Sequence, residues 1–314
     1  MVEVDPFKHQ LQLTKWDWLR TYFLGIFLVP TRIVIFLIAL ISMSVISKIA
    51  LVIHCRSNNI NEPFTSYWMK STQKIVIFLW RTALRICGLS ATIKGEQVPV
   101  IEAPIMIFAP HSTFFDLIIG FGWGNTFSVV IAEEYAKVPI IGSVFQLFQP
   151  IYVKRDNQHA REIVKKEILS RTSSVNKGWS QLGFAPEGMC SNRKSLLPYK
   201  PGAFYPGKPI QQCVLRYPNA IDTVTWTYDQ AHGAMSVAWI TLAQPFTRVE
   251  VEYLPVYHPS PQEKEDPKLY ASNLRELMAA HYKIPTVDMT YDDAKKRNAK
   301  NNEKNIRRLS HKDE

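Results

Sequence analysis

The sequence predicts an α/β domain, a mainly parallel mixed sheet flanked by helices, carried behind an N-terminal hydrophobic, membrane-anchoring helical segment. Three observations lead there. From about residue 90, short apolar runs alternate with helical stretches, the pattern of strands joined by helical crossovers. Residues 33–47, IVIFLIALISMSVIS, hold no charge, and apolar character extends from Tyr22 to Ile53 with only Arg32 and Lys48 interrupting it. After Pro285 the sequence turns polar and charged, which reads as a solvated tail.

Taken in order, residues 1–20 form a cap and residues 21–56 the membrane segment. Fifteen uncharged residues reach about 22 Å as a helix against a bilayer core of about 30 Å, and snorkelling of Lys48 extends the reach to Ile53. Two arrangements fit: a single span, or a re-entrant hairpin bent at Pro30. Cationic residues stand on both sides of the run (Lys8, Lys15 and Arg20 before it, Arg56 after), so charge sets no orientation. Residues 57–90 connect through KIVIFLWRTALRICG, where Lys74, Arg81 and Arg85 share one side of a helix, as on an interfacial amphipathic helix.

Residues 91–290 carry the alternating pattern. The expected strands are IMIFA (105–109), FSVVIA (127–132), IYV (151–153), QLGFA (181–185), IQQCVLRY (210–217) and RVEVEYLPVY (248–257). Helices are expected around 115–124, 139–148, 158–172, 234–243 and 268–281. Residues 291–314 are a basic tail.

The chain has 314 residues and a net charge of +10. From Lys295 to Glu314 eight Lys or Arg face three Asp or Glu, so half of the excess lies in that tail. A basic balance suits anionic lipid, phosphate-bearing substrates or nucleic acid; the apolar segment and the lack of a recognisable binding module argue against nucleic acid. The four cysteines, Cys55, Cys87, Cys190 and Cys213, are scattered without CxxC spacing, which suggests neither a disulfide framework nor a metal site.

The chemistry concentrates at strand ends. In APHSTFFD (109–116), five helical steps would leave His111 and Asp116 about 140° apart, so the two do not share one helix face. Pro110 favours an extended Ala109, and the motif reads as a strand leading into a turn. With Asp116 in the first turn of the following helix, its carboxylate reaches back to fix the imidazole's tautomer. In IYVKRDN (151–157), Lys154 and Arg155 end a short strand as cationic donors suited to phosphate. In GFAPEGMCSNRK (183–194), Pro186 and Gly188 mark a tight loop around Glu187. The last stretch, YPGKPIQQCVLRYPN (205–219), is a turn feeding a strand.

In this order and spacing these stretches resemble the glycerolipid and lysophospholipid acyltransferase family. HSTFFD matches its His-x4-Asp signature, YVKRD its arginine block, PEGMCSN its Glu-Gly block and GKPIQQCVLRY its fourth block. The resemblance covers roughly residues 70–295, and PEGMCSNR with YKIPTVDMTYDDAKK looks like the lysophosphatidylcholine acyltransferase branch. Met189 departs from the family's usual threonine, and no EF-hand loop follows, so calcium control is not expected.

The resemblance implies that His111 acts as general base with Asp116 behind it, taking the acceptor's hydroxyl proton during attack on the acyl-CoA thioester. It further implies phosphate contacts from Arg155 and an acceptor site shaped by Glu187 and Gly188; Lys154, Asn192 and Arg193 in the same blocks join the candidate substrate contacts. The implied partners are acyl-CoA, as co-substrate rather than cofactor, a lysophospholipid and the bilayer, with no metal. Lysophosphatidylcholine is the implied acceptor, with lysophosphatidic acid, glycerol 3-phosphate or a non-catalytic lipid-binding role as alternatives. The implied location is the endoplasmic reticulum membrane with the catalytic domain facing the cytosol, or lipid droplets if the segment is a hairpin. Oligomeric state has no signal in the sequence.

Overall fold

The computed structural model describes residues 5–56, 58–113, 115–154, 158–227, 229–230, 233–290 and 292–296. Strand β1 (Lys8–His9) precedes helix α1 (Lys15–Cys55), which starts ahead of the apolar run because Thr14 and Asp17 form a capping box at its N-terminus. The helix continues through Pro30 without a break, so the chain does not turn back there as a hairpin would. At 41 residues α1 is about 60 Å long and apolar enough to cross a membrane by length and composition.

One stripe of α1, including Thr21, Gly25, Val29, Arg32, Leu40 and Met43, is buried at helical spacing, while Phe23, Ile26, Phe27, Ile38 and Ile41 on the other side are at least half exposed. The buried stripe packs on helix α2 (Tyr67–Ile86), then on α4 (Ile141–Leu147) and on α6 (Ala234–Ala243). Arg32, the one cation early in the apolar run, has a local reason to be there. Its guanidinium donates to the carbonyls of Leu242 and Gln244 at 2.6 Å each and of Pro245 at 2.8 Å, capping the C-terminal end of α6.

The remaining elements are β2 (Leu89–Lys94), β3 (Ile105–Ala109), α3 (Phe115–Trp123), β4 (Phe127–Ala132), β5 (Ile151–Val153), α5 (Gln158–Ser173), β6 (Gln181–Phe184), β7 (Ile210–Arg216), β8 (Asp229–Gln230), β9 (Thr247–Tyr257), α7 (Pro261–Glu265) and α8 (Pro267–Tyr282). Seven strands form one sheet in the order β2-β9-β7-β3-β6-β4-β5, parallel throughout except where β7 meets β9. The sheet is therefore mixed and mostly parallel. The sequence pattern missed β2 because only its first residue is buried, so no apolar alternation marks this edge strand.

Central strand β3 shows why a continuous apolar run belongs in such a sheet. Met106 and Phe108 point to a core with α3 residues Phe115, Ile119 and Trp123, whereas Ile105, Ile107 and Ala109 point to a core with α8 residues Tyr270, Leu274 and Met278. Both faces are covered, so period-2 alternation puts an apolar group on each side. Each such side chain contributes about 1.5–3 kcal/mol by leaving water. That rigid centre holds the loops after β3, β6 and β7 at one edge of the sheet.

Candidate active site

The parallel strands β7, β3 and β6 are neighbours, so the residues following their C-terminal ends meet. After β3 the chain passes through a cis Ala109–Pro110 peptide to His111, and α3 begins at Phe115. Asp116 lies in the first turn of α3, where the helix N-terminus favours a carboxylate. Its Oδ2 accepts from His111 Nδ1 at 2.8 Å, from the Ser112 amide at 2.7 Å and from the Thr113 amide at 3.1 Å. Its Oδ1 accepts from the hydroxyl of Tyr217, just past β7. The carboxylate is 2% exposed and the imidazole 15% exposed, so only the histidine presents an edge to an incoming molecule.

With Nδ1 turned to Asp116, the imidazole's other nitrogen is the one left for proton transfer. Burial pushes the His111 pKa down, but hydrogen bonding to Asp116 and Cys190 and the Asp116 charge outweigh it and raise the pKa well above that of ordinary histidine. The imidazole is thus a stronger base than a free one.

Glu187 comes from the loop after β6 and is 3% exposed. Its Oε2 accepts from the backbone amide of His111 at 2.8 Å and its Oε1 from that of Leu197 at 3.2 Å. The carboxylate therefore braces the histidine loop from inside. Gly188 follows with φ +68, a conformation that glycine adopts without steric penalty, and a Cβ there would meet Lys200 Nζ at 2.6 Å. The Ser191 amide donates to the His111 carbonyl at 2.7 Å, so the loop after β6 grips His111 on both its amide and its carbonyl.

Burial pushes the Glu187 pKa from 4.5 up to about 7, against the opposing pull of the two amides. The folded protein thus holds a proton there that the unfolded chain releases, so the contribution of Glu187 to stability is complete below 4.5 and is lost as pH rises towards and through 7. The raised His111 pKa has the same sign, its contribution being complete below 6.5 and lost as pH rises through the higher folded value. We expect a melting temperature measured from pH 4.5 to 7.5 to show a component that falls with pH, and Glu187→Gln to reduce that slope. An identical slope in the variant would locate the proton elsewhere.

Asn192 and Arg193, expected among the substrate contacts, are held by the protein itself. Asn192 Nδ2 donates to the carbonyls of Asp5 (2.7 Å) and Lys8 (3.0 Å), and its Oδ1 accepts from the Lys194 amide. Arg193 donates to Asp222 at 2.6 Å and to Ser112 Oγ at 3.1 Å and lies over the Tyr217 ring. Both side chains are thus engaged by neighbouring groups of the chain. Lys154, at the end of β5, is largely exposed with Nζ 3.5 Å from Glu133. It stands three strands from β3 along the same sheet edge, about 14 Å away. Arg155 lies outside the described residues.

Tyr217 is the site residue that the sequence pattern did not single out. Its one signal was its place at the end of the fourth block, read there as the close of a strand. Burial and the Asp116 charge push the phenol pKa well above the usual tyrosine range, so the hydroxyl remains a donor. Tyr217→Phe removes that donor while keeping the ring under Arg193. We expect turnover to fall about tenfold, the equivalent of one hydrogen bond to a charged group, and the melting temperature to drop as well, because Asp116 Oδ1 is left buried without its donor. Unchanged turnover would make the contact incidental.

Comparison with known proteins adds three findings. The family described as Acyltransferase matches residues 90–211, which include His111, Asp116 and Glu187. Lysophosphatidylcholine acyltransferase 2B of Rattus norvegicus is 41% identical over 294 residues, covering 93% of this chain and 55% of that protein. Lysophosphatidylcholine acyltransferases 2 and 1 of Homo sapiens are 40% and 38% identical, over 93% and 92% of this chain and 53% of each. The chain thus spans about half the length of the curated relatives it matches. Among solved structures, the fold is similar to the 1-acyl-sn-glycerophosphate (LPA) acyltransferase PlsC of Thermotoga maritima, with TM-score 0.51 and 14% identity over 84% of this chain and 98% of that one. The sheet, the matched blocks and the similarity along 93% of its length agree: residues 90–211 form a domain of the Acyltransferase family, in a chain similar to lysophosphatidylcholine acyltransferases.

Proposed function

We propose that this protein transfers a fatty acyl chain from acyl-CoA to the free hydroxyl of a lysophospholipid, with lysophosphatidylcholine as the acceptor. The observation that carries the reading is the buried Asp116 carboxylate on His111 Nδ1, which fixes the other ring nitrogen as the base. The likeness to lysophosphatidylcholine acyltransferases supports the choice of acceptor.

In this reading His111 removes the acceptor's hydroxyl proton as that oxygen attacks the thioester carbonyl. The tetrahedral intermediate then collapses, the carbon–sulfur bond breaks, and the imidazolium returns the proton to the departing CoA thiolate. Acid–base chemistry is balanced without a covalent acyl-enzyme. The reading assigns the phosphate contacts to Lys154, which is exposed at the end of β5 and 3.5 Å from Glu133, and to Arg155 after it in the chain.

The membrane seat belongs to the same proposal. The stripe of α1 from Thr21 to His54 packs on α2, α4 and α6 over about 50 Å, longer than a hydrocarbon core of about 30 Å. A helix whose flank is covered by the catalytic domain over that distance lies along one leaflet, with its exposed apolar side in lipid. Phe78 of α2 and Phe246 after α6, 63% and 75% exposed, add exposed apolar groups on or next to elements that pack with α1. The endoplasmic reticulum, with the catalytic domain on the cytosolic side, is the proposed location; a one-leaflet seat also suits a lipid-droplet monolayer.

The test is acyl transfer by the purified full chain, using one labelled acyl-CoA and a panel of lysophosphatidylcholine, lysophosphatidic acid and glycerol 3-phosphate. Preferential labelling of the first is expected. Labelling of another acceptor would replace it, and no labelling from a folded preparation would overturn the enzymatic reading.

A further inference from the structure

The segment ahead of the membrane helix is built into the loop that holds the catalytic histidine. Three hydrogen bonds from one residue fix it: the Asn192 amide donates to the Pro6 carbonyl at 2.8 Å, and the Asn192 side chain to the carbonyls of Asp5 and Lys8. Phe7 is 2% exposed and packs with Leu197, Met189, Val287 and Met289. Lys8 and His9 pair in parallel with Asp229 and Gln230, and His9 Nε2 lies 3.2 Å from the Asp222 carbonyl.

Three of the groups that receive this segment, Asn192, Met189 and Asp222, also connect to the reaction centre within one or two residues or contacts. Asn192 follows Ser191, whose amide holds the His111 carbonyl, and Met189 sits two residues past Glu187, which holds the His111 amide. Asp222 fixes Arg193, which in turn donates to Ser112, the neighbour of His111. A surface linker to a membrane helix has no need of a buried phenylalanine or of a paired backbone. Only residues 10–14 separate the segment from α1.

We propose that residues 5–9 are a positioning element of the active site, with Phe7 as its anchor. They hold the loop spanning Glu187 to Arg193 against His111, so the acyl-transfer geometry depends on residues that precede the membrane helix. The proposal rests on the acyltransferase reading of the site. Releasing Phe7 leaves the Asn192 amide groups without their buried partners and frees the loop to drift, and a misplacement near 1 Å lowers turnover by as much as about 10²-fold.

The experiment compares the full chain with Phe7→Ala, Phe7→Leu and His9→Ala in acyl transfer from labelled acyl-CoA to lysophosphatidylcholine, with amide hydrogen exchange on residues 5–9 and 187–194. We expect Phe7→Ala to lower kcat about 10- to 100-fold with KM for acyl-CoA unchanged and exchange in that loop accelerated. Phe7→Leu should restore most of kcat. His9→Ala, which removes one contact of a partly exposed side chain and leaves the packing intact, should lower kcat by about threefold without moving the melting temperature. The proposal is overturned if kcat stays at the wild-type value while residues 5–9 exchange freely, or if KM alone changes. If Phe7→Ala does not fold, His9→Ala and Phe7→Leu decide by the same readings. Failure of the acyltransferase reading looks different, because the wild-type chain itself would then transfer no label.

Discussion

Replacing His111 by alanine is expected to remove nearly all acyl transfer, a fall on the order of 10² to 10⁴ in kcat, the range for losing a positioned general base. The physical reason is the acceptor. An alcohol hydroxyl is a poor nucleophile while it keeps its proton, and His111, 15% exposed, has its far nitrogen unclaimed by Asp116. The fold should survive the change. The imidazole is partly exposed and its backbone amide and carbonyl remain held by Glu187 and Ser191, so the melting temperature should move little. The pH dependence provides a second reading. A neutral imidazole is required, and the raised His111 pKa places the acidic limb of kcat/KM above 6.5, with activity climbing as pH rises through it. A folded His111→Ala preparation that turns over at a near wild-type rate would end the assignment of this base.

Asp116→Asn carries the second large effect, and its informative feature is a displacement as well as a loss. Asparagine keeps the shape and one acceptor oxygen, so the Ser112 and Thr113 amides are not abandoned together as they would be in an alanine variant. What disappears is the negative charge behind the ring. With it goes part of what lifts the imidazole pKa against burial, so the acidic limb moves to lower pH than in the wild type. The imidazolium formed during attack also loses its counter-charge, and asparagine's amide group can favour the wrong tautomer. We expect kcat to fall by on the order of 10² to 10⁴ with KM for both substrates little changed. A rise in KM at constant kcat would reassign Asp116 to substrate binding, and an unmoved limb would mean that the carboxylate does not tune the base.

The sequence by itself determined the parts whose signal is local. The β3 run IMIFA is apolar at every position because a central strand is covered on both faces, and that is visible without knowing what covers it. The turn chemistry of Ala109–Pro110–His111 and of Pro186–Glu187–Gly188 marked the two loops, and the mostly parallel sheet followed from the alternation of strands and helices. The uncharged run from Ile33 to Ser47 announced an apolar helix, although its start at Lys15 depended on a polar capping box outside that run.

The tertiary structure alone decided which polar groups meet and what each faces. Tyr217 reaches Asp116 across 101 residues, and Glu187 reaches the His111 amide across 76, through the packing of neighbouring parallel strands that no local pattern encodes. The same holds for Asn192 and Arg193, whose residue types suit a ligand but whose partners are Asp5, Lys8, Ser112 and Asp222. Arg32 is the clearest instance. Read along the chain it interrupts a membrane segment, whereas in the fold its charge is neutralised by the carbonyl end of a helix more than 200 residues away, because a buried guanidinium is tolerated only where acceptors converge on it.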